Sequence, residues 1–386
     1  MMTIQPYREI ESINDLPAPD ELGHVCHCVF QDIDFTLRPE YAPSGRFFRD
    51  CVFLGCKLPR GVHDSLGPGC LVFPRMRLVY NTFRNALYTG ESLYEGYDPA
   101  NDESFQTCYD TKVYNDYIRR GKEASDIVDT LGRSMHDHAI GDAMGDFLSR
   151  YDERKVVAVM GGHALKRTDP SFRAVAVISK ELTEKGYLMC SGGGPGAMEA
   201  THLGAWMAGY AEAELDDALA ILSVAPTFRE GGWLRTAFEV RAKYPRQEMY
   251  HSLGIPTWFY GHEPATPFAS YIAKYFQNSV REDILLTIAK GGIIYSPGSA
   301  GTIQEIFQEA AQDHYKTCDV SSPMAFMGVD FFTREVPVYP FLEDMLARGK
   351  YQDLLLSISD DPDDVVRAIL AFREADAKHI KGKFFK

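Results

Sequence analysis

The sequence predicts an α/β protein: a doubly wound, mostly parallel Rossmann-like sheet with helices on both faces, preceded by a small β-rich module and a helical segment. Three observations predict it. From about residue 150 onward, short apolar runs of strand length alternate with segments of helical period. Three of those runs end in glycine, at Gly161-Gly162, at Gly192-Gly193-Gly194-Pro-Gly196 and at Gly298-Ser299-Ala300-Gly301. The first 75 residues follow a different, five-residue period. The expected organisation is a β-rich module over 1–100, a helical connecting segment over 101–150 and a nucleotide-binding Rossmann-like domain over 151–386.

In the N-terminal module the pairs Cys28/Phe30, Ile33/Phe35, Cys51/Phe53 and Cys56/Leu58 each place a small or branched residue two before a bulky one, and they recur every five residues. Phe48 falls in the phenylalanine register. Residues 20–75 thus resemble the coils of a pentapeptide-repeat β-helix, with cysteines as compact core residues. Five cysteines with His24 and His27 also admit a zinc reading, but they lack the paired spacing of a closed zinc site, and no metal is expected. Residues 76–105 read as irregular. Residues 109–150 read as helical, with Met135-His-Asp-His138 and Asp142 on a solvated polar face.

Tyr151-Asp-Glu-Arg-Lys155 marks a boundary, after which strands are expected at Val156–Met160, Tyr187–Cys190, Ala218–Val224, Thr257–Tyr260, Ala269–Tyr275, Ile293–Tyr295, Met324–Met327 and Leu354–Ile358. Helices are expected at 170–185, Ala197–Met207, Arg281–Ala289, from Thr302 onward, Phe341–Arg348 and Asp363–Phe372. Between Thr227 and Arg246, five basic residues stand against Glu230 and Glu239, which reads as a solvated helical face or as a lid facing phosphate.

The turn after Tyr295 holds the greatest chemical content. Ser296-Pro297-Gly298 stops a strand, and Ile303, Ile306, Phe307, Ala310 and Ala311 then form one apolar helical stripe. A helix N-terminus opened by glycines offers free N–H groups to a phosphate. Thr302-Ile-Gln-Glu305 reads equally as a capping box with no chemistry. No acidic residue stands at a strand end about twenty positions beyond the second glycine turn to hold a ribose, which argues against NAD. No cofactor is expected.

A net charge of −14 argues against a nucleic-acid surface, while leaving room for a small anion held locally. No apolar run reaches membrane-spanning length, and the first residues lack the apolar core of a signal peptide, so the expected location is cytoplasmic, with no membrane partner.

Gly192-Gly-Gly-Pro-Gly-Ala-Met-Glu-Ala200 and Pro297-Gly-Ser-Ala-Gly-Thr-Ile-Gln-Glu305 resemble the paired signatures of the LOG family, the lysine decarboxylase-like Rossmann proteins. Within that family the form is most similar to the bacterial pyrimidine/purine nucleotide 5′-monophosphate nucleosidases, and the resemblance spans about residues 150–375. It implies an enzyme hydrolysing the N-glycosidic bond of nucleoside 5′-monophosphates to free base and ribose 5-phosphate. Glu305 would be the catalytic glutamate and Arg281 the arginine that precedes the last motif. Gly298, Ser299, Ala300, Gly301 and Thr302 would cradle phosphate, with Ser299 standing where the family has glycine. Gly161, Gly162, Gly193, Gly194, Gly196, Met198 and Glu199 would complete the nucleotide site. The family also implies a homodimer or higher homo-oligomer.

The chemistry fits these residue types. A carboxylate beside a ribose can stabilise oxocarbenium charge or activate water, and an arginine can hold the phosphate or orient the carboxylate. The alternative is a non-catalytic nucleotide-binding sensor of the same fold, which would keep the phosphate turn and dispense with chemistry.

Overall fold

The computed structural model describes residues 6–37, 47–62, 66–123, 126–260, 263–318 and 320–383. The parts of the expected N-terminal coils at 38–46 and 63–65, residues 124–125 of the expected helical segment and the first five residues lie outside the described residues. The chain divides into two compact units, one made of residues 1–87 and 115–146, the other of 88–114 and 147–386.

The first unit opens with short parallel strands: β1 (Arg8–Ile10), β2 (His24–Cys26), β3 (Cys28–Gln31), β4 (Phe47–Arg49), β5 (Val52–Leu54) and β6 (Leu71–Phe73). They form two ladders, β1-β3-β5-β6 and β2-β4. The ladders pair Arg8 with Cys28, Val29 with Val52 and Val52 with Leu71, so the five-residue period marks the successive sides of a coil and not a whole coil. Phe30, Phe35, Phe48 and Phe53 are all buried, with Phe30 stacked on Phe53 at 5.0 Å and Phe48 edge-on to it at 5.2 Å. Each such ring contributes about 1.5–3 kcal/mol of burial. The corners at His27, Asp32, Asp50 and Gly55 take left-handed backbone angles (φ 58°, 54°, 51° and 63°), a conformation that Asp, His and Gly adopt more readily than branched residues. The thiols fill small gaps, and Cys51 Sγ donates to the Val25 carbonyl at 3.3 Å.

Three helices follow: α1 (Gly90–Leu93), α2 (Tyr109–Arg120) and α3 (Ile127–Leu148). The expected solvated polar face holds at His138, which is exposed, and partly at Asp142, but it is corrected at His136 and Asp137, which are buried. His136 is fully buried against Tyr80, and desolvation lowers its pKa.

The second unit contains β7 (Val156–Met160), α4 (Pro170–Glu184), β8 (Leu188–Ser191), α5 (Ala197–Trp206), α6 (Glu212–Leu222), α7 (Trp233–Lys243), β9 (Ser252–Gly254), β10 (Tyr271–Ile272), α8 (Asn278–Ile288), β11 (Gly292–Tyr295), α9 (Ala300–Tyr315), β12 (Pro323–Met327), α10 (Val338–Ala347), β13 (Leu355–Ser359) and α11 (Pro362–Lys383). The seven strands form one parallel sheet in the order β10-β9-β8-β7-β11-β12-β13. Its centre is apolar on both faces, as parallel strands covered by helices require, and every residue of β7 and β12 is buried. Alternation divides the side chains. Val157, Val159, Met189 and Ile294 pack with α4, α5 and α11, while Tyr295 stacks on Phe326 at 5.0 Å on the opposite face. No helix among the described residues is long and apolar enough to cross a membrane.

One expected strand is a helix. Ala218–Val224 falls within and just after α6, whose buried residues Leu215, Ala218 and Leu222 follow helical spacing. The run Ala-Leu-Ala-Ile-Leu is too uniformly apolar to reveal its period. The third strand of the doubly wound half is instead β9, which carries only Ser, Leu and Gly.

Candidate functional site

The strand order reverses between β7 and β11, so the connections that leave their paired carboxyl ends part and open a crevice at the topological switch point. Both ends carry glycine turns. Gly162 N–H donates to the Pro297 carbonyl at 3.1 Å, and the Gly162 carbonyl accepts from Ala197 N–H at 3.2 Å, tying all three turns together. Close approach dictates the glycines. A Cβ on Gly196, which has φ 73°, would lie 2.3 Å from the Gly162 oxygen. One on Gly298 would lie 2.2 Å from Thr302 Oγ1.

The resulting cavity is about 350 Å³. Gly161, Gly162, Gly194, Met198, Arg281, Ser299, Ala300, Gly301, Thr302 and Glu305 line it, so the structure brings ten of the expected site residues to one place. Gly193, Gly196 and Gly298 shape the turns without lining the cavity. Gly193 N–H donates to Ser191 Oγ at 3.1 Å, and that hydroxyl is held by His202, a fully buried imidazole whose pKa desolvation lowers to about 3.

Glu199 is placed elsewhere. Its carboxylate is buried against Arg167, with Arg167 Nε donating at 3.0 Å and Trp233 Nε1 at 3.2 Å. Arg167 also donates to Thr236 Oγ1 at 2.9 Å and lies over the Trp233 ring at 4.9 Å. The pair clamps the first turn of α5 to the start of α7. Trp233 therefore belongs to the core, where it is 3% exposed.

Helix α9 begins earlier than the capping-box reading placed it. Ser299 is the N-cap residue, its hydroxyl makes no cap hydrogen bond, and Ala300 opens the helix. The first-turn N–H groups of Ala300, Gly301 and Thr302 have no intrahelical acceptor and stand at the positive end of the helix dipole. The helix is also turned about its axis relative to the apolar stripe. Thr302, Ile306, Glu309, Ala310 and Asp313 are its buried residues, whereas Ile303 and Phe307 are only partly covered.

Glu305 sits one turn beyond the N–H groups and opens onto the cavity. Solvent in the cavity reaches part of its surface, yet the surrounding protein pushes its carboxyl up to about 7; Arg281 opposes this and Glu282 adds to it. Arg281, 9% exposed, is held by Asn278 Oδ1 at 3.2 Å and Glu282 Oε1 at 3.3 Å. Its Nη1 lies beside Gly192, where a Cβ would come within 3.0 Å. The arrangement offers N–H donors and a guanidinium for an anion, beside a carboxyl that changes protonation near neutral pH.

Sequence reasoning missed His163, Tyr260 and Glu263 at the cavity wall. His163 Nδ1 lies 3.5 Å from Glu263 Oε1. His163 directly follows the first glycine turn, a position that could have singled it out; Glu263 had no local signal.

No family profile matches the chain, and no curated protein matches it. Among solved structures it is similar to a molybdenum cofactor binding protein from the phototrophic bacterium Rippkaea orientalis, at 14% identity, 56% of this chain, 96% of that chain and a TM-score of 0.35. It is also similar to the molybdenum cofactor carrier protein from Chlamydomonas reinhardtii, at 15% identity, 57% of this chain, 98% of that chain and a TM-score of 0.35. At such identity and overlap neither structure lends its ligand to this chain. The expected membership of the LOG family, and with it the hydrolysis of nucleoside monophosphates, is corrected by these findings. Neither of these two structures is named a nucleosidase, and no family profile or curated protein supports one.

Proposed function

We propose that the chain binds a small phosphomonoester at the β7/β11 switch point, with its phosphate on the first turn of α9. Glu305 exchanges a proton with the body of the ligand. The observation that supports this most strongly is the first turn of α9, whose N–H groups lack intrahelical acceptors and whose residues line a cavity of ligand size beside the nearly buried Arg281. Nucleoside monophosphates belong to this ligand class and are proposed as ligands, without cleavage of their glycosidic bond. A carboxyl poised near neutrality favours proton transfer over binding alone. A homo-oligomeric assembly and a cytoplasmic location belong to the same proposal; light scattering of the purified protein reads the first.

Ser299→Asp is the test. A carboxylate at the N-cap strengthens the helix terminus, while its charge competes with phosphate for the same N–H groups. The expected result is a higher Tm together with at least about tenfold weaker binding of ribose 5-phosphate, from like-charge repulsion at the phosphate seat. Unchanged affinity in the folded variant would place the phosphate elsewhere or nowhere.

A further inference from the structure

A second cavity lies in the same unit and shares no lining residue with the first. It measures about 650 Å³, and its walls include Glu91, Trp206, Phe238, Arg241, Arg246 and Tyr271. Arg241 is 9% exposed, and its Nε and Nη1 have no hydrogen-bond partner among the described residues. Buried guanidinium groups normally satisfy their donor fork, so an under-bonded one is costly without a reason to be there. Its flat face is covered instead, by Trp206 at 4.6 Å and Phe238 at 5.0 Å.

The surroundings are built to keep that group in place. Gly90 is required beside it, since a Cβ there would come 2.7 Å from Arg241 Nη1. Arg246 is fixed by Nη1 hydrogen bonds to the carbonyls of Gln247 at 3.1 Å and Tyr250 at 2.6 Å. Burial, and the Arg246 charge with it, pulls Arg241 down to about 10, which leaves it cationic at neutral pH. Only Arg241 Nη2 is engaged by a carboxylate, that of Glu91, whose side chain is 67% exposed. Glu248, also at the cavity, is exposed and contributes its carbonyl to Arg246.

An exposed carboxylate holds an arginine weakly. Glu91 therefore marks the seat of an anion without filling the cavity behind it. We propose that this cavity binds a small organic carboxylate with a flat apolar body, whose carboxylate replaces Glu91 on Arg241 while its body packs against Phe238 and Tyr271. Arg246 supplies the second positive charge. This site is independent of the phosphomonoester site, and its occupancy does not rest on that reading.

The test is fluorine NMR of para-fluorobenzoate with the full chain, with acetate and inorganic phosphate as competitors. Binding of para-fluorobenzoate is expected, displaced weakly by acetate and not by phosphate at equal concentration. Glu91→Gln removes the internal competitor and should tighten binding about threefold, as an exposed pair of this kind allows. Arg241→Lys, which keeps the charge but loses the planar fork, should weaken it about tenfold or more. Glu91 is a surface residue, so its variant reports on the site even where a change at Arg241 disturbs folding. Arg281→Gln, in the other cavity, should leave the affinity unchanged. No binding to wild type and Glu91→Gln, equal affinity for these two, stronger displacement by phosphate than by acetate, or loss of binding in Arg281→Gln would each overturn the proposal.

Discussion

Replacing Glu305 by glutamine should change how stability depends on pH, and the sign follows from the direction of the shift. Burial raises the Glu305 carboxyl from 4.5 to about 7 in the folded chain. Between those values the folded state carries a proton that the unfolded state has lost, so stability falls as pH rises from about 4.5 to about 7 and levels off above. A displacement of that size corresponds to about 3 kcal/mol, and solvent in the cavity screens it towards about 1–3 kcal/mol. Glutamine does not titrate. Relative to wild type, Glu305→Gln should therefore gain about 1–3 kcal/mol in passing from pH 5 to pH 8. Glu309 and Asp313, further along the same buried face, are also raised by desolvation, and their contribution is common to both proteins. Urea unfolding of both proteins at the two pH values isolates the Glu305 part. Parallel pH profiles would refute the reasoning, since they would mean that the carboxyl ionises as it does in water. The ligand reports the same event: phosphate affinity should drop as pH rises through about 7 in wild type and less so in Glu305→Gln.

Other substitutions separate shape from binding. Gly298→Ala drives a Cβ to within 2.2 Å of Thr302 Oγ1, so it should cost about 1–3 kcal/mol by overpacking and abolish ligand binding. Gly301→Ala meets nothing within 4 Å and should leave stability within about 0.5 kcal/mol by thermal melting. Glu199→Ala leaves Arg167 charged, buried and unpaired, and should destabilise by about 3–5 kcal/mol, read by urea unfolding. If Glu199→Ala instead weakened ligand binding with stability intact, its placement as a clamp would be wrong.

What was legible in the sequence follows from the kind of signal each element carries. The parallel sheet was visible because β7, β11 and β12 are short continuous apolar runs that end at glycine or proline. The three glycine turns could be placed because no other residue fits so close to a neighbouring backbone, as at Gly196 and Gly298. β9 escaped notice because Ser-Leu-Gly has no strand signature, and its pairing with β8 comes from tertiary context. The rotation of α9 was hidden for a related reason. Its apolar stripe points to Ile303 and Phe307, but the helix buries Thr302, Glu309 and Asp313 instead, and only packing decides between the two faces. Glu199 shows a limit of motif reading: a glutamate one residue after Met198 in a glycine-rich turn reads as a ligand contact, yet helical geometry turns it away from the cavity towards Arg167. The pair of motifs likewise carried a family expectation that the comparisons did not support.

The most direct test of phosphomonoester binding compares matched ligands that differ only in the phosphate, ribose 5-phosphate against ribose and adenosine monophosphate against adenosine, by titration calorimetry at pH 6. Two or three charge-assisted hydrogen bonds from the first turn of α9, with Arg281 beside them, should make each phosphorylated ligand at least about a hundredfold tighter. Equal affinity within each pair, or no binding by either phosphorylated member, would contradict it.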